Sequence, residues 1–149
     1  MNKLDVIASS RLFEMLSSSE LAYLAELAEQ HRYGAGEHVF EEGELGDSLY
    51  VIVAGEVEVV RKSDGGAPRP LTVLAAPEFF GEMSLIDKEY RSATVRARTE
   101  AVLLRLTTQH LAVFRQSYRD GFTFVVINIA RVLSARLREA NARLTARQS

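Results

Sequence analysis

Leu49-Tyr50-Val51-Ile52-Val53-Ala54-Gly55-Glu56-Val57-Glu58-Val59-Val60 is the stretch on which the fold turns. It is dense in β-branched residues, it alternates through Val57, Glu58 and Val59, and a lone Gly55 stands at its centre. Branched side chains fit a pleated, half-buried surface, so the stretch reads as β structure. Outward from it the same signal repeats in short pieces. Val39 and Phe40 open a strand after the Gly34-Ala35-Gly36 turn, and Leu71–Leu74 resumes one after the loop Ser63-Asp64-Gly65-Gly66-Ala67-Pro68. Ala93–Arg98 and Ala101–Leu106 give two more, divided by a turn at Thr99-Glu100. Many short strands with closely spaced turns predict a sandwich or barrel over residues 33–108, not a βαβ sheet.

Helices are expected on both sides. In residues 1–32, Leu21, Leu24, Ala25, Leu27 and Ala28 recur at helical spacing. Ser17 followed by Glu20 is a capping-box pattern, and Leu16 with Leu21 forms a hydrophobic staple. A helix over Ser18–His31 follows, with a weaker one near Ala8–Met15. In residues 109–149, Leu111–Phe114 marks a short helix, and Gly121 is expected to break it from a long final one. That helix carries two stripes: Phe122, Val125, Ile129 and Val132, then Val126, Ala130, Leu133, Leu137, Ala140 and Leu144. The first is suited to pack on the barrel. The second outlasts it in heptad register and predicts a homodimer through the C-terminal helix.

Composition narrows the function. A formal charge of −2 lacks the basic excess of a nucleic-acid binder. Arg131, Arg136, Arg138, Arg143 and Arg147 cluster late, but Glu139 interrupts them on a helical pattern, which reads as a solvated face. With no cysteine in the chain, disulfides and thiol chemistry are out. His31, His38 and His110 are scattered, with no paired spacing for a metal, so a metal-binding cupin is disfavoured. Serine, histidine and aspartate occur without a nucleophile elbow, and no enzyme activity is expected. No signal-peptide pattern opens the chain, and the apolar run Phe124–Ile129 is too short to span a bilayer, so the expected location is the cytoplasm, with no membrane partner.

One segment interrupts the β pattern in a chemically specific way. Phe79-Phe80-Gly81-Glu82-Met83-Ser84-Leu85-Ile86 leads through a polar loop, Asp87-Lys88-Glu89-Tyr90, to Arg91-Ser92-Ala93-Thr94-Val95. A Gly followed by one helical turn offers free backbone N–H groups, and Gly81 lets a ligand approach without a Cβ in the way. Arg91 supplies a permanent charge on a planar fork that can hold two phosphate oxygens, and Ser92 adds a hydroxyl. Glu82 is the odd member, since a bound anion repels a carboxylate. A ligand that presents a hydroxyl donor beside its anion resolves the conflict, as a ribose 3′,5′-cyclic phosphate does with its 2′-OH.

Gly81-Glu82-Met83-Ser84-Leu85, with Arg91-Ser92-Ala93-Thr94-Val95 nine positions on from Glu82, resembles the phosphate-binding cassette of the cyclic-nucleotide-binding domain family. That family includes protein kinase A regulatory subunits and the bacterial catabolite activator protein. Gly36-Glu37-His38-Val39-Phe40-Glu41-Glu42-Gly43-Glu44 and Asp47-Ser48-Leu49-Tyr50-Val51-Ile52-Val53-Ala54-Gly55 resemble its barrel-turn motifs, and the likeness covers roughly residues 10–145. The resemblance implies a single domain over residues 1–149, mainly β: an antiparallel jelly-roll-like β-roll with a cassette at 79–95, N-terminal helices and a long C-terminal helix. It implies a ligand, cAMP or cGMP, with Glu82 accepting from the ribose 2′-OH and Arg91 holding the cyclic phosphate. Gly81, Met83 and Ser84 would assist through the short helix, and Ser92 would touch phosphate or base. It implies no cofactor besides that ligand. Asn141, on the last helix, is the candidate to cover the base. Gly36, Gly43 and Gly55 are assigned to turns, and Phe79, Phe80 and Tyr50 to the core. Tyr90 departs from the family, where many members have proline.

The expected function is a sensor that signals through its C-terminal helix. Two alternatives stand beside it: the sensor portion of a longer catabolite-activator-type transcription regulator, and a ligand-free dimerising module. No helix-turn-helix pattern follows the final helix before Ser149, so this chain itself is not expected to bind nucleic acid.

Overall fold

Eight strands follow the order β1 (Glu29–Tyr33), β2 (His38–Phe40), β3 (Ser48–Ala54), β4 (Glu56–Arg61), β5 (Arg69–Ala75), β6 (Phe79–Phe80), β7 (Thr94–Ala97) and β8 (Ala101–Thr107). The computed structural model describes residues 2–62, 67–87 and 90–148, with 147 and 148 in backbone only, so Ser63–Gly66 of the expected loop and the Arg147 side chain lie outside the described residues. The strands form two four-stranded sheets, ordered β1-β8-β3-β6 and β2-β7-β4-β5. Every pairing is antiparallel. This is the expected β-roll.

The apolar run that decides the fold is explained by what covers each face. In β3, Leu49 and Val51 join a core layer beneath the helices, with Leu104 and Leu106 of β8 opposite them in register. Tyr50 and Ile52 point the other way, into the roll, and meet Phe80, Val57, Val95 and Leu103. A strand covered on both faces has no need of a polar alternation. Leu49, Val51 and Ile52 are fully buried, each worth about 2 kcal/mol relative to exposure. Gly36, Gly43 and Gly55 sit at positive φ in the turns, as expected of them.

The N-terminal helices differ from expectation at their ends. Asn2 accepts from the Asp5 N–H to start α1 (Lys3–Ser9), and Ser10, with extended backbone, accepts from the Leu12 N–H to start a 3-10 turn, Arg11–Phe13. The serine cap therefore splits the single helix expected near Ala8–Met15. α2 (Ser18–Leu27) begins on the predicted capping box, with both reciprocal bonds between Ser17 and Glu20 in place. It stops at Leu27, not His31. Ala28 turns extended and is the last apolar residue of the pattern; Glu29–Tyr33 instead gains a strand partner in β8. The roll thus opens at Glu29, four residues before residue 33.

After β8, α4 (Thr108–Ser117) and α5 (Arg119–Gln148) are divided at Tyr118 rather than at Gly121. Gly121 lies inside α5, buried, where a Cβ would collide with the Glu20 carboxylate and come within 3.1 Å of the Phe114 ring. Its role is close approach, not chain breaking. Of the α5 stripes, Val125, Ile129 and Val132 are buried on the helical core layer and Phe122 packs beside them. In the other stripe, Leu137 and Leu144 remain 62% and 55% exposed, unlike any residue of the inner stripe. Asn128 lies among the buried positions, and its side-chain amide donates to the carbonyls of Leu12 at 3.0 Å and Glu14 at 2.8 Å.

Candidate functional site

β6 delivers the chain to Gly81, whose φ of +77° turns it into the short helix α3 (Met83–Ile86). A Cβ on Gly81 would meet Arg91 Nη1 at 2.9 Å and the Ser48 carbonyl at 3.0 Å, so glycine serves both the turn and the close approach. Glu82 precedes α3 and makes no capping bond with its side chain. Lys88 and Glu89 lie outside the described residues. The chain returns at Tyr90, which bridges Leu45, and the Arg91 backbone is pinned on both sides: its N–H donates to Glu44 O at 2.6 Å, and its carbonyl accepts from the Gly43 N–H at 2.9 Å. These bonds restrain the segment where proline is missing.

The Arg91 side chain is held by main chain and by an aromatic face. Nη2 donates to Ser48 O at 2.8 Å, Nη1 to Gly81 O at 3.3 Å, and the guanidinium lies 3.9 Å from the centre of the Phe40 ring. Burial pushes its pKa below the ordinary arginine value, while Tyr50, Asp47, Glu44 and Glu82 act in the opposite direction. The group stays cationic. Arg91 borders a cavity of about 570 Å³.

Gly81, Glu82, Met83, Ser84, Arg91 and Ser92 all line that cavity, so the cassette residues named from the sequence are brought together. Glu82 is only 6% exposed, yet its partner is not Arg91. Arg136 of α5 donates to Glu82 Oε1 at 3.2 Å. Asn141 is exposed on α5 and is not brought into the cavity; Arg136, Glu139 and Arg143 line it from that helix instead. A signal for these three existed. Phe122, Val125, Ile129 and Val132 continue at the same alternating spacing through Arg136, Glu139 and Arg143. The stripe changes from apolar to charged where the helix leaves the core and passes the cavity. Ser48 and Phe40, which hold Arg91, gave no such signal; a backbone carbonyl carries no residue type.

A second cavity, of about 670 Å³, is lined by Gly46, Ser84, Ile86, Arg115 and Phe122 among others. Ser84 borders both cavities. Among the described residues there is no cluster of His, Asp and Glu suited to a metal, and no helix long and apolar enough to cross a membrane.

Comparison with known proteins gives the same outline. The chain is 36% identical over 136 residues to the cyclic AMP receptor protein of Thermus thermophilus, covering 91% of this chain and 61% of that one. It thus spans about three fifths of the curated relatives it matches first. The N-terminal domain of a transcriptional regulator from Streptomyces coelicolor A3(2) superposes with a TM-score of 0.79 at 33% identity, over 94% of this chain and 95% of that one. A cyclic nucleotide-binding domain from Methylobacillus flagellatus KT superposes with a TM-score of 0.82 at 26% identity, over 97% and 81%. Residues 30–118 match the family described as the cyclic nucleotide-binding domain, which is more than half the chain. With the roll, the cassette and this match in agreement, the chain belongs to the cyclic nucleotide-binding domain family.

Proposed function

We propose that the cassette cavity binds cAMP or cGMP, with Arg91 on the cyclic phosphate and Glu82 accepting from the ribose 2′-OH. The observation that carries this reading is that a buried carboxylate and a half-buried guanidinium border one cavity. A ligand with an anion and a hydroxyl a few bonds apart satisfies both. Gly81, Met83 and Ser84 line the phosphate end, and Ser92 the rim. The name of the Thermus thermophilus relative makes cAMP the first ligand to titrate and cGMP the second. Calorimetric titration of the intact chain with each is the test. Saturable binding is expected, and Arg91→Ala should weaken it by well over 1.4 kcal/mol, about the value of one charged hydrogen bond. Neither heat nor thermal stabilisation with either nucleotide would favour a ligand-free module instead.

The signal would leave through α5. Glu82 is bonded to Arg136, so a ligand that claims the carboxylate acts on the helix directly. Such a change is a population shift between helix arrangements, biased by whichever arrangement the ligand prefers. α5 would also carry a homodimer seam along Leu137, Ala140 and Leu144. In such a dimer Asn141, beside Ala140, becomes available to the partner's cavity rather than to its own. A role as the sensor of a transcription regulator has separate support, in the near full-length match to the Streptomyces coelicolor regulator domain.

A further inference from the structure

Gly46 is a glycine that the backbone does not demand. Gly36, Gly43, Gly55 and Gly81 adopt positive φ, and Gly46 does not. What it lacks is room. A Cβ there would overlap the Ser84 hydroxyl and stand 3.1 Å from both Cζ and Nε of Arg91. On its other sides the guanidinium is already fixed by the Phe40 ring at 3.9 Å and the Ser48 carbonyl at 2.8 Å. Arg91 therefore lies in a slot with Phe40 as one wall and the bare Cα of Gly46 as another.

We infer that Gly46 and Ser84 form a size-matched pair that positions Arg91 for its anion. The inference rests on the proposed role of Arg91 in holding the cyclic phosphate. The atoms a Cβ would strike belong to side chains, not to backbone, so the structure can yield by moving them. The cost then falls on the site more than on the fold. Ser84 is only 8% exposed and separates the two cavities, so it has little freedom to step aside alone. Exchanging which member of the pair carries the bulk should restore the slot. Gly46→Ala with Ser84→Gly keeps one small side chain where the protein now has one.

The test is titration of cAMP and cGMP into the intact chain, its single variants and the double variant. Gly46→Ala is expected to weaken binding about tenfold, the loss of one well-placed charged hydrogen bond. Because Ser84 itself lines the cavity, the reference is Ser84→Gly alone: Gly46→Ala/Ser84→Gly should bind as that variant does, and more tightly than Gly46→Ala. In an Arg91→Ala background Gly46→Ala should add little, because most of its effect on binding passes through the guanidinium; a merely structural defect would add its full cost there. If Gly46→Ala is too unstable to titrate, the inference requires Ser84→Gly to restore folding and binding together. Unchanged affinity in Gly46→Ala, no recovery in the double variant, or full additivity with Arg91→Ala would each overturn the pairing while leaving the ligand reading intact. A parent chain that takes up neither nucleotide would overturn that reading, and the pairing with it.

Discussion

Asn128 shows how a single polar side chain can fix the placing of an element. It is 2% exposed on the buried face of α5, and both of its amide hydrogens are spent on carbonyls of the 3-10 turn segment, at Leu12 and Glu14. Its own Oδ1 has no partner. The arrangement works only with a donor, since two carbonyl oxygens face it. Asn128→Asp removes both hydrogen bonds and sets a carboxylate against them, so it should destabilise the fold by about 3 kcal/mol. Urea unfolding followed by circular dichroism measures this directly; an unchanged midpoint would mean that the contact does not hold the helix. In the sequence, Asn128 is unmarked within the apolar run Phe124–Ile129. Its partners are backbone atoms more than a hundred positions away, and no local pattern encodes them. Glu82 and Arg91 were legible for the opposite reason: their chemistry is unusual for a turn between strands, and the Gly before them explains why the chain can bring them together.

At the scale of the element, α5 carries two distinct stripes. One is apolar and buried through Val132, and the same face continues as Arg136, Glu139 and Arg143 along the cavity. The neighbouring face ends in Leu137 and Leu144, apolar and open to solvent. If the dimer seam proposed for it is right, Leu137→Asp should convert the chain to a monomer in sedimentation equilibrium. The monomer should melt much as the parent monomer does, because an exposed leucine contributes little to its own fold. A dimer that persists would move the interface to another surface. Element ends were the least legible feature. α2 stops where apolar spacing runs out and a strand partner is on offer, and that partner, β8, lies more than seventy residues further along. Gly121 misled for a related reason. Glycine marks both chain breaks and close approaches, and only the Glu20 carboxylate and Phe114 ring beside it tell them apart.

Across the whole molecule, two core layers share β3 and β8. One layer seats the helices and the other fills the roll, and the cassette hangs between them from β6. Ser48, at the start of β3, accepts from Arg91, while Arg136 of α5 reaches Glu82. Arg91 is thus tied to the sheet and Glu82 to the long helix. Such an arrangement can turn occupancy into a shift of α5 only if a ligand engages Glu82 through its sugar. That engagement is tested most directly by comparing cAMP with 2′-deoxy-cAMP, by calorimetry, on the parent chain and on Glu82→Ala. The parent should bind the deoxy nucleotide more weakly by about 2 kcal/mol, the value of a hydrogen bond to a charged acceptor, and Glu82→Ala should bind the two alike. Equal affinity for the two nucleotides in the parent, or a preference that survives in Glu82→Ala, would contradict the assignment of Glu82 to the ribose.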